Sequence, residues 1–318
     1  MIDRRLSIAP MMDHTDRHFR YLMRLLTKHS VLYTEMITTG ALIHGNRKKF
    51  LDFNLEEHPI AIQLGGNNPK DLTKCAQMAE NEGYDEVNLN LGCPSHRVQN
   101  GRFGACLMAE KELVAECVNN ISSNIKIPLS IKTRIGIDNH DTYDFLKEFI
   151  DTLSSAGCRT FIIHARKAIL KGLSPKENRK IPPLNYQRVY EIKKECPNLN
   201  IIINGGFTEL DKIKSQLKHV DGVMLGRVAF QNPFLLSKID NMIFNKSEPF
   251  ATRRNILEKY KIYVEHQVRQ GENIKNLTRH IIGLYQGRPG AKKYRQILSG
   301  AIPKNHGHFF EKIIQAVA

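Results

Sequence analysis

The stretch Glu86–Cys106, EVNLNLGCPSHRVQNGRFGAC, combines a short apolar segment with a long polar one. Apolar residues occupy every second position from Val87 to Leu91, which is the period of a β-strand with one buried face. A Gly and a Pro on either side of Cys93 end the strand. The loop that follows has about a dozen residues, a length typical of functional loops. This pattern predicts that Cys93 lies at the carboxyl end of a strand.

Cys93 has two interpretations. A single cysteine is commonly a small, buried, apolar residue without a catalytic role. Its position between Gly92 and Pro94, at the start of a polar loop, favours instead a thiol that reaches into a crevice. An unperturbed thiol has a pKa of roughly 8.5 and is mostly protonated near neutral pH, so it can donate a proton. Cys93 is therefore a candidate proton donor.

The composition is that of a globular protein of a reducing compartment. With 318 residues, 41% of them hydrophobic, the chain is long enough for one large α/β barrel or for two domains. Its six cysteines form no C-x-x-C pair and no zinc-type spacing with histidine, so we expect no structural metal. Because the first residues do not resemble a secretory signal and no run of 18 apolar residues occurs, we expect a soluble, cytoplasmic protein.

The net charge of +15 is concentrated in two blocks. Residues 241–318 contain 14 Lys and Arg against 5 Glu, and residues 164–180 contain 6 Lys and Arg against one Glu. An evenly solvated surface or a solubilising helical cap would explain excess charge without function. Two concentrated blocks favour contact with a polyanion, and the obvious polyanion is a nucleic acid.

The order of the predicted elements indicates a (β/α)8 TIM barrel over residues 1–240, followed by a small, all-helical, basic domain over residues 241–318. The predicted strands are Leu6–Ala9, Val31–Glu35, Pro59–Leu64, Glu86–Leu91, Leu129–Lys132, Thr160–His164, Ile201–Ile203 and Gly222–Leu225. The predicted helices are Asp16–Thr27, one that begins at Pro69, Lys111–Ser122, Tyr143–Ser154, Tyr186–Glu195, Glu209–Leu217, Arg253–Gln270, Asn276–Leu284, Ala291–Ser299 and Phe309–Ala316.

Hydrogen-bonding residues end most of the predicted strands, and barrel chemistry occurs at that rim. Asn204-Gly205-Gly206 and Gly226-Arg227 follow the last two strands, where barrels commonly bind phosphate. The sequence has neither a P-loop nor a G-x-G-x-x-G after a strand. These features predict a phosphorylated flavin held by the barrel, with Lys132 beside the N1/C2 side of its ring. A Schiff-base Lys132 in an aldolase-like barrel is the alternative.

The motifs at these strand ends resemble those of the tRNA-dihydrouridine synthases. The matching segments are APMMDHTD (9–16), TEM (34–36), QLGG (63–66), NLNLGCPS (88–95), IKTRIG (131–136), IIHAR (162–166), NGG (204–206) and MLGR (224–227). The segments HARKAILKGLSPKENRKIPPLNY (164–186) and GLYQGRPGAKKYRQIL (283–298) are similar to the A subfamily in particular.

The resemblance implies an FMN enzyme that uses NADPH to reduce the C5=C6 bond of uridine at D-loop positions 20 and 20a of tRNA. Hydride would pass from reduced FMN to C6, and Cys93 would give the proton to C5. Implied FMN contacts are Pro10, Met11, Met12, Gln63, Lys132, His164, Asn204, Gly205, Gly206, Gly226 and Arg227. Implied tRNA contacts are Asn90, Lys176, Arg179, Lys292 and Arg295.

Further expectations concern the loop, the assembly and the rival functions. Arg102 and the Ser95–Gly104 loop would close over the bound base, and the protein is expected to be a monomer without metal or membrane partners. A flavin barrel that reduces free pyrimidines is a second possible enzyme, but it has no need of the basic tail. A non-catalytic RNA-binding protein on a barrel scaffold is a third possibility.

Overall fold

The predicted barrel is confirmed, and it is closed. The computed structural model describes residues 2–247, 249, 251–300 and 306–317, with the backbone alone for 306–308. Eight parallel strands pair in chain order, and the last pairs with the first. They are β1 (Leu6–Ile8), β2 (Val31–Thr38), β3 (Ile60–Gly65), β4 (Glu86–Leu91), β5 (Leu129–Arg134), β6 (Thr160–His164), β7 (Asn200–Asn204) and β8 (Gly222–Leu225).

Helices cover the outside of the barrel and form the C-terminal part of the described chain. Those of the barrel are α1 (Arg17–Leu26), α2 (Thr39–His44), α3 (Arg47–Leu51), α4 (Pro69–Glu82), α5 (His96–Asn100), α6 (Lys111–Ser122), α7 (Tyr143–Ser155), α8 (Tyr186–Glu195), α9 (Leu210–Gln216) and α10 (Val228–Gln231). They are followed by α11 (Ile239–Met242), α12 (Arg253–Arg269), α13 (Ile274–Thr278), α14 (Ala291–Ser299) and α15 (His306–Gln315).

Side chains alternate along each strand between two separate cores, because successive residues of a strand point to opposite faces. The apolar residues of Val87–Leu91 in β4 pack in the large core between the strands and the helices. The smaller core fills the barrel itself, and its buried members are Ala9, Val31, Tyr33, Ala61, Ile162, Ile202 and Met224.

Strand register brings polar residues together at the carboxyl rim. Gln63, His164 and Asn204 each lie two positions after a member of the small core, so they share its inward face. Across neighbouring strands, Asn90 is paired with Lys132, and His164 is paired with Asn204. The alternation that fills the barrel with apolar side chains therefore ends, one step higher, in a layer of hydrogen-bonding groups.

Several predicted boundaries differ from the structure. β2 and β5 continue beyond their predicted ends, to Thr38 and Arg134. The predicted helix Asn276–Leu284 was wrong in its extent, since α13 ends at Thr278 and only a 3-10 turn follows. Farther on, the backbone of Gly283 packs against α10, where a Cβ would lie 2.3 Å from the carbonyl oxygen of Phe230.

The C-terminal helices pack against α1 and the loop before it. The rings of Tyr21 and Tyr263 stack with centroids 3.9 Å apart, and the Tyr263 hydroxyl lies 2.8 Å from His18 Nδ1. Asp16, the N-cap of α1, accepts a hydrogen bond from Arg279 at 2.6 Å and lies 3.0 Å from His280 Nε2. The division of the chain at residue 240 stays a prediction.

Among the described residues, no helix has the length and apolar character needed to cross a bilayer.

Candidate active site

Cys93 lies two residues beyond β4, at the carboxyl rim, and its backbone is held on both sides. Asn90 Oδ1 accepts hydrogen bonds from the backbone N–H groups of Gly92 at 3.2 Å and Cys93 at 3.0 Å. The Cys93 carbonyl accepts a hydrogen bond from the N–H of Ala105 at 3.0 Å. The thiol is partly exposed and lies 3.5 Å from Ser95 Oγ. The thiol therefore stands at the mouth of the barrel instead of in the packed core.

Cations surround this thiol. Lys132, Arg134 and Arg179 lie close enough to Cys93 to interact with its charge. A negative charge on the sulfur would raise the pKa of each of these three side chains. Burial, and then repulsion from Arg134, lowers the pKa of Lys132 to about 7. Burial, and then the charges of Arg134 and Lys132, lowers the pKa of His164 well below its ordinary value, so this imidazole is neutral at pH 7. The positive charges repel one another, and an anion bound among them would relieve that repulsion.

The strand ends of β6 and β7 add an amide and a bare stretch of backbone. Asn204 Oδ1 accepts a hydrogen bond from Lys132 Nζ at 3.2 Å, and its amide nitrogen donates to the Met224 carbonyl at 2.8 Å. Gly205 and Gly206 have φ values of 133° and 78°. A Cβ on Gly205 would lie 2.8 Å from the Leu184 side chain and 3.1 Å from the His164 ring. Positive φ values favour glycine at both positions, and the Leu184 and His164 side chains occupy the space that a Cβ of Gly205 would need.

The family of the chain follows from comparison with known proteins. A family model described as dihydrouridine synthase (Dus) matches residues 7–317. The chain belongs to the dihydrouridine synthase family. The sequence prediction of the family, and of an enzyme, is confirmed by this match and by the curated relatives.

Several curated relatives of the chain carry the name tRNA-dihydrouridine(20/20a) synthase. The protein from Shewanella oneidensis is 55% identical over 304 residues, 96% of this chain and 90% of the relative. The protein from Vibrio cholerae is 54% identical over 315 residues, 99% of this chain and 96% of the relative. The protein from Escherichia coli K12 is 53% identical over 296 residues, 93% of this chain and 86% of the relative.

Two solved structures share the barrel at low sequence identity. Histamine dehydrogenase from Rhizobium sp. 4-9 aligns with a TM-score of 0.56 at 13% identity, over 77% of this chain and 47% of its own. A 2-naphthoyl-CoA reductase aligns with a TM-score of 0.56 at 13% identity, over 75% of this chain and 51% of its own. At such identity these likenesses concern the fold alone.

The residues predicted to contact FMN lie in the carboxyl half of a strand or just after one. Gln63 is buried, whereas Lys132 and His164 are partly exposed. A Cβ on Gly226 would meet no atom within 4 Å, so the rim is open beside β8. Asn204 is the last residue of β7, and the others come after β1, β7 and β8; they are Pro10, Met11, Met12, Gly205, Gly206 and Arg227.

The residues predicted to contact tRNA fall into two groups. Asn90 holds the backbone of Cys93, and exposed Arg179 is an electrostatic neighbour of the thiol, with exposed Lys176 three residues before it. Lys292 and Arg295 lie on α14. Lys292 is exposed, whereas Arg295 is partly exposed and its guanidinium donates to Gln286 Oε1 at 3.3 Å. The first group is at the barrel mouth, and the second lies on the C-terminal helices. Lys304, counted in the basic block, lies outside the described residues.

The loop after Cys93 is more ordered than its sequence indicates. It contains α5 and a 3-10 helix from Gly104 to Ala109. Gln99 Nε2 donates to the carbonyls of Pro94 at 2.9 Å and Leu170 at 2.8 Å, which ties the loop to the next barrel segment. The predicted closing residue Arg102 is exposed and pairs with Glu110 at 3.2 Å. Closure over a base stays a prediction.

Arg134 is a site residue to which the sequence assigned no role. It is buried, and its guanidinium donates to the carbonyls of Gly92 at 2.8 Å, Lys167 at 3.0 Å and Asn178 at 3.2 Å. One side chain thus joins the Cys93 loop to the segment that carries Lys176 and Arg179. Its position two residues after Lys132, on the same face of β5, was the signal that could have found it.

Proposed function

We propose that this protein reduces the C5=C6 bond of uridine to dihydrouridine at positions 20 and 20a of the tRNA D-loop, with FMN as cofactor and NADPH as reductant. The observation that carries the proposal is the partly exposed Cys93 thiol, which stands among Lys132, Arg134 and Arg179 at the rim of a closed barrel. The names of the 53–55% identical relatives support the choice of positions.

The rim residues fit FMN. A phosphate carries negative charge, and it would relieve the charge repulsion between Lys132 and Arg134 at the rim. Gly205 and Gly206 have no Cβ, and their backbone N–H groups would donate to the phosphate. Lys132 would lie beside the ring and stabilise negative charge on it. Gln63, His164, Asn204 and Arg227 would supply the remaining polar contacts, and Pro10, Met11, Met12 and Gly226 would line the ring.

The chemistry divides between a hydride and a proton. FMN, re-reduced by NADPH, supplies when bound the hydride that C6 of uracil accepts. The π electron pair of C5=C6 then takes the Cys93 proton, and a C5–H bond forms. The thiolate left behind lies beside Lys132, Arg134 and Arg179, which stabilise its charge until solvent returns a proton. A thiol suits this step because an S–H group can donate its proton to a carbon centre.

The tRNA must present an unstacked base, since a uridine within folded RNA cannot reach the barrel rim. In the proposal, Asn90 and Arg179 meet the extruded base and Lys176 the backbone beside it. Lys292 and Arg295 on α14 would hold phosphates farther along the tRNA. Because such contacts release counterions, affinity for tRNA should fall steeply as the salt concentration rises.

The test is a map of dihydrouridine in tRNA from cells that lack the gene and from the same cells with the gene restored. Dihydrouridine at positions 20 and 20a is expected to disappear and to return. The purified protein is expected to show flavin absorbance and to act on tRNA, but not on free uracil. Unchanged dihydrouridine at both positions in the deletion strain would contradict the proposal, as would turnover of free uracil at the rate seen with tRNA.

A further inference from the structure

The polar face of β4 begins with a buried carboxylate at the opposite end of the barrel from Cys93. Glu86 is fully buried and pairs with Arg4, whose Nε lies 2.9 Å from Glu86 Oε2. The other oxygen, Oε1, accepts hydrogen bonds from two hydroxyls, that of Tyr33 at 2.8 Å and that of Ser130. A carboxylate only accepts hydrogen bonds, so both hydroxyls must point their hydrogen atoms at it.

From Ser130 a continuous chain of hydrogen bonds runs to the rim. The Ser130 oxygen, having given its hydrogen to Glu86, accepts one from Asn88 Nδ2 at 2.8 Å. Asn88 Oδ1 accepts from Gln63 Nε2 at 2.7 Å, and Gln63 Oε1 accepts from Asn90 Nδ2 at 2.7 Å. The chain spans the four residue steps from Glu86 to Asn90, about 13 Å of strand.

The two ends of the chain impose the same direction on the amides between them. At the lower end, the acceptor-only Glu86 obliges Asn88 to donate to Ser130 and hence to accept from Gln63. At the upper end, the N–H groups of Gly92 and Cys93 oblige Asn90 to present its oxygen to them and its nitrogen to Gln63. No amide in the chain can turn over without placing two donors or two acceptors face to face.

We infer that Glu86 and Ser130 are positioning residues, which fix the orientation of the Gln63 and Asn90 amides through the barrel interior and thereby hold the backbone of Cys93. The inference deepens the proposed function, since it concerns the loop that carries the proposed proton donor. Gln63, Asn88 and Ser130 are at most 1% exposed, so water does not replace a lost member of the chain.

Tyr33 provides a matched control. Tyr33 and Ser130 both donate a buried hydroxyl to the same oxygen of Glu86, but only Ser130 continues toward Cys93. The variants Tyr33→Phe and Ser130→Ala therefore each remove one hydroxyl from the barrel interior. A purely structural role predicts similar consequences for the two, whereas a positioning role predicts different ones.

The first measurement is hydrogen exchange at single-residue resolution in the protein without tRNA. In Ser130→Ala, the backbone amides of Gly92 and Cys93 are expected to exchange about fivefold faster than in the wild type, the factor that loss of one neutral hydrogen bond gives. In Tyr33→Phe their exchange should be unchanged. Equal exchange at these two amides in both variants would overturn the inference, and it would do so whether or not the protein modifies tRNA.

The second measurement is the rate of dihydrouridine formation. Ser130→Ala is expected to lower kcat about tenfold or more with a smaller change in KM, because misplacement of the thiol affects the chemical step. Tyr33→Phe should keep the wild-type kcat. If wild-type protein forms no dihydrouridine, the proposed function fails while the exchange result still decides the inference.

Glu86→Gln is the second variant should Ser130→Ala not fold, because it keeps the side-chain volume while it replaces the acceptor-only end of the chain and the charge that pairs with Arg4. Faster exchange at Gly92 and Cys93 than in Tyr33→Phe is again the expected result, and equal exchange again overturns the inference.

Discussion

The barrel interior has two unlike halves. β6, β7 and β8 place Ile162, Ile202 and Met224 there, whereas β4 and β5 place hydrogen-bonding side chains such as Asn88 and Ser130 there. Apolar contacts have no direction, so the first half stabilises the barrel without fixing any one orientation. Hydrogen bonds are directional, and the second half can therefore transmit an orientation to the rim. Cys93 is attached to the second half, at the end of β4.

Removal of the Cys93 thiol is the strongest test that the hydrogen-bonded half serves the chemistry. Cys93→Ala is expected to lower the rate of dihydrouridine formation by about 10²–10⁴-fold, because it removes the proton donor. Cys106→Ala is the control, since that thiol is also partly exposed but donates to the Phe103 carbonyl within the loop. Rates measured on unmodified tRNA check this. A Cys93→Ala protein with the wild-type rate would exclude Cys93 as the proton donor.

The next comparison sets one residue of each half against the other. Arg134→Gln removes hydrogen bonds that join the Cys93 loop to residues 167–178, and kcat is expected to fall by about 10²-fold. Ile202→Ala leaves a cavity and is expected to cost about 2–5 kcal/mol of unfolding free energy. Its kcat, measured well below the unfolding temperature, should stay near the wild-type value. If both variants lose kcat equally, the contrast between the two halves is wrong.

The smallest expected effect is a pH dependence of FMN affinity that arises from Lys132. Its pKa is lowered to about 7 in the ligand-free protein, and a bound anion would raise it. Binding then takes up a proton, so FMN affinity should weaken as pH rises from about 7 to about 9. Lys132→Met should weaken binding at pH 7 and flatten this slope. Flavin fluorescence titration measures both, and an equal slope in the two proteins would exclude Lys132 as its source.

The regular parts of the fold were predictable because local patterns determine them. The predicted bounds of β4, β6, β8, α6, α8 and α14 agree with the structure to the residue. Their apolar residues recur at the period of a strand or a helix, and each segment is bounded by residues that end it. The helix predicted over Asn276–Leu284 ends early, at Thr278, and the packing of Gly283 against Phe230 joins residues far apart in the sequence, which a local pattern does not report.

The site was predictable only in part, for a related reason. Residues such as Gln63, Cys93 and Asn204 stand at strand ends, and a strand end can be located from the sequence. The sequence pattern predicted that β5 ends at Lys132, which assigned Arg134 to the following loop. In the structure β5 continues to Arg134, whose side chain is buried. The same limit applies to Glu86, whose charge at the start of a predicted strand gave no hint of its partners.

By itself, the sequence determined the alternation of strands and helices, the polar residues that end the strands, and the family. Only the tertiary structure decided which of these residues meet. Glu86, Ser130 and Gln63 belong to three different strands, and their hydrogen bonds exist because closure of the barrel fixes the register of all eight. Sequence periodicity specifies the face on which a side chain lies, whereas contact between faces depends on how the whole sheet closes.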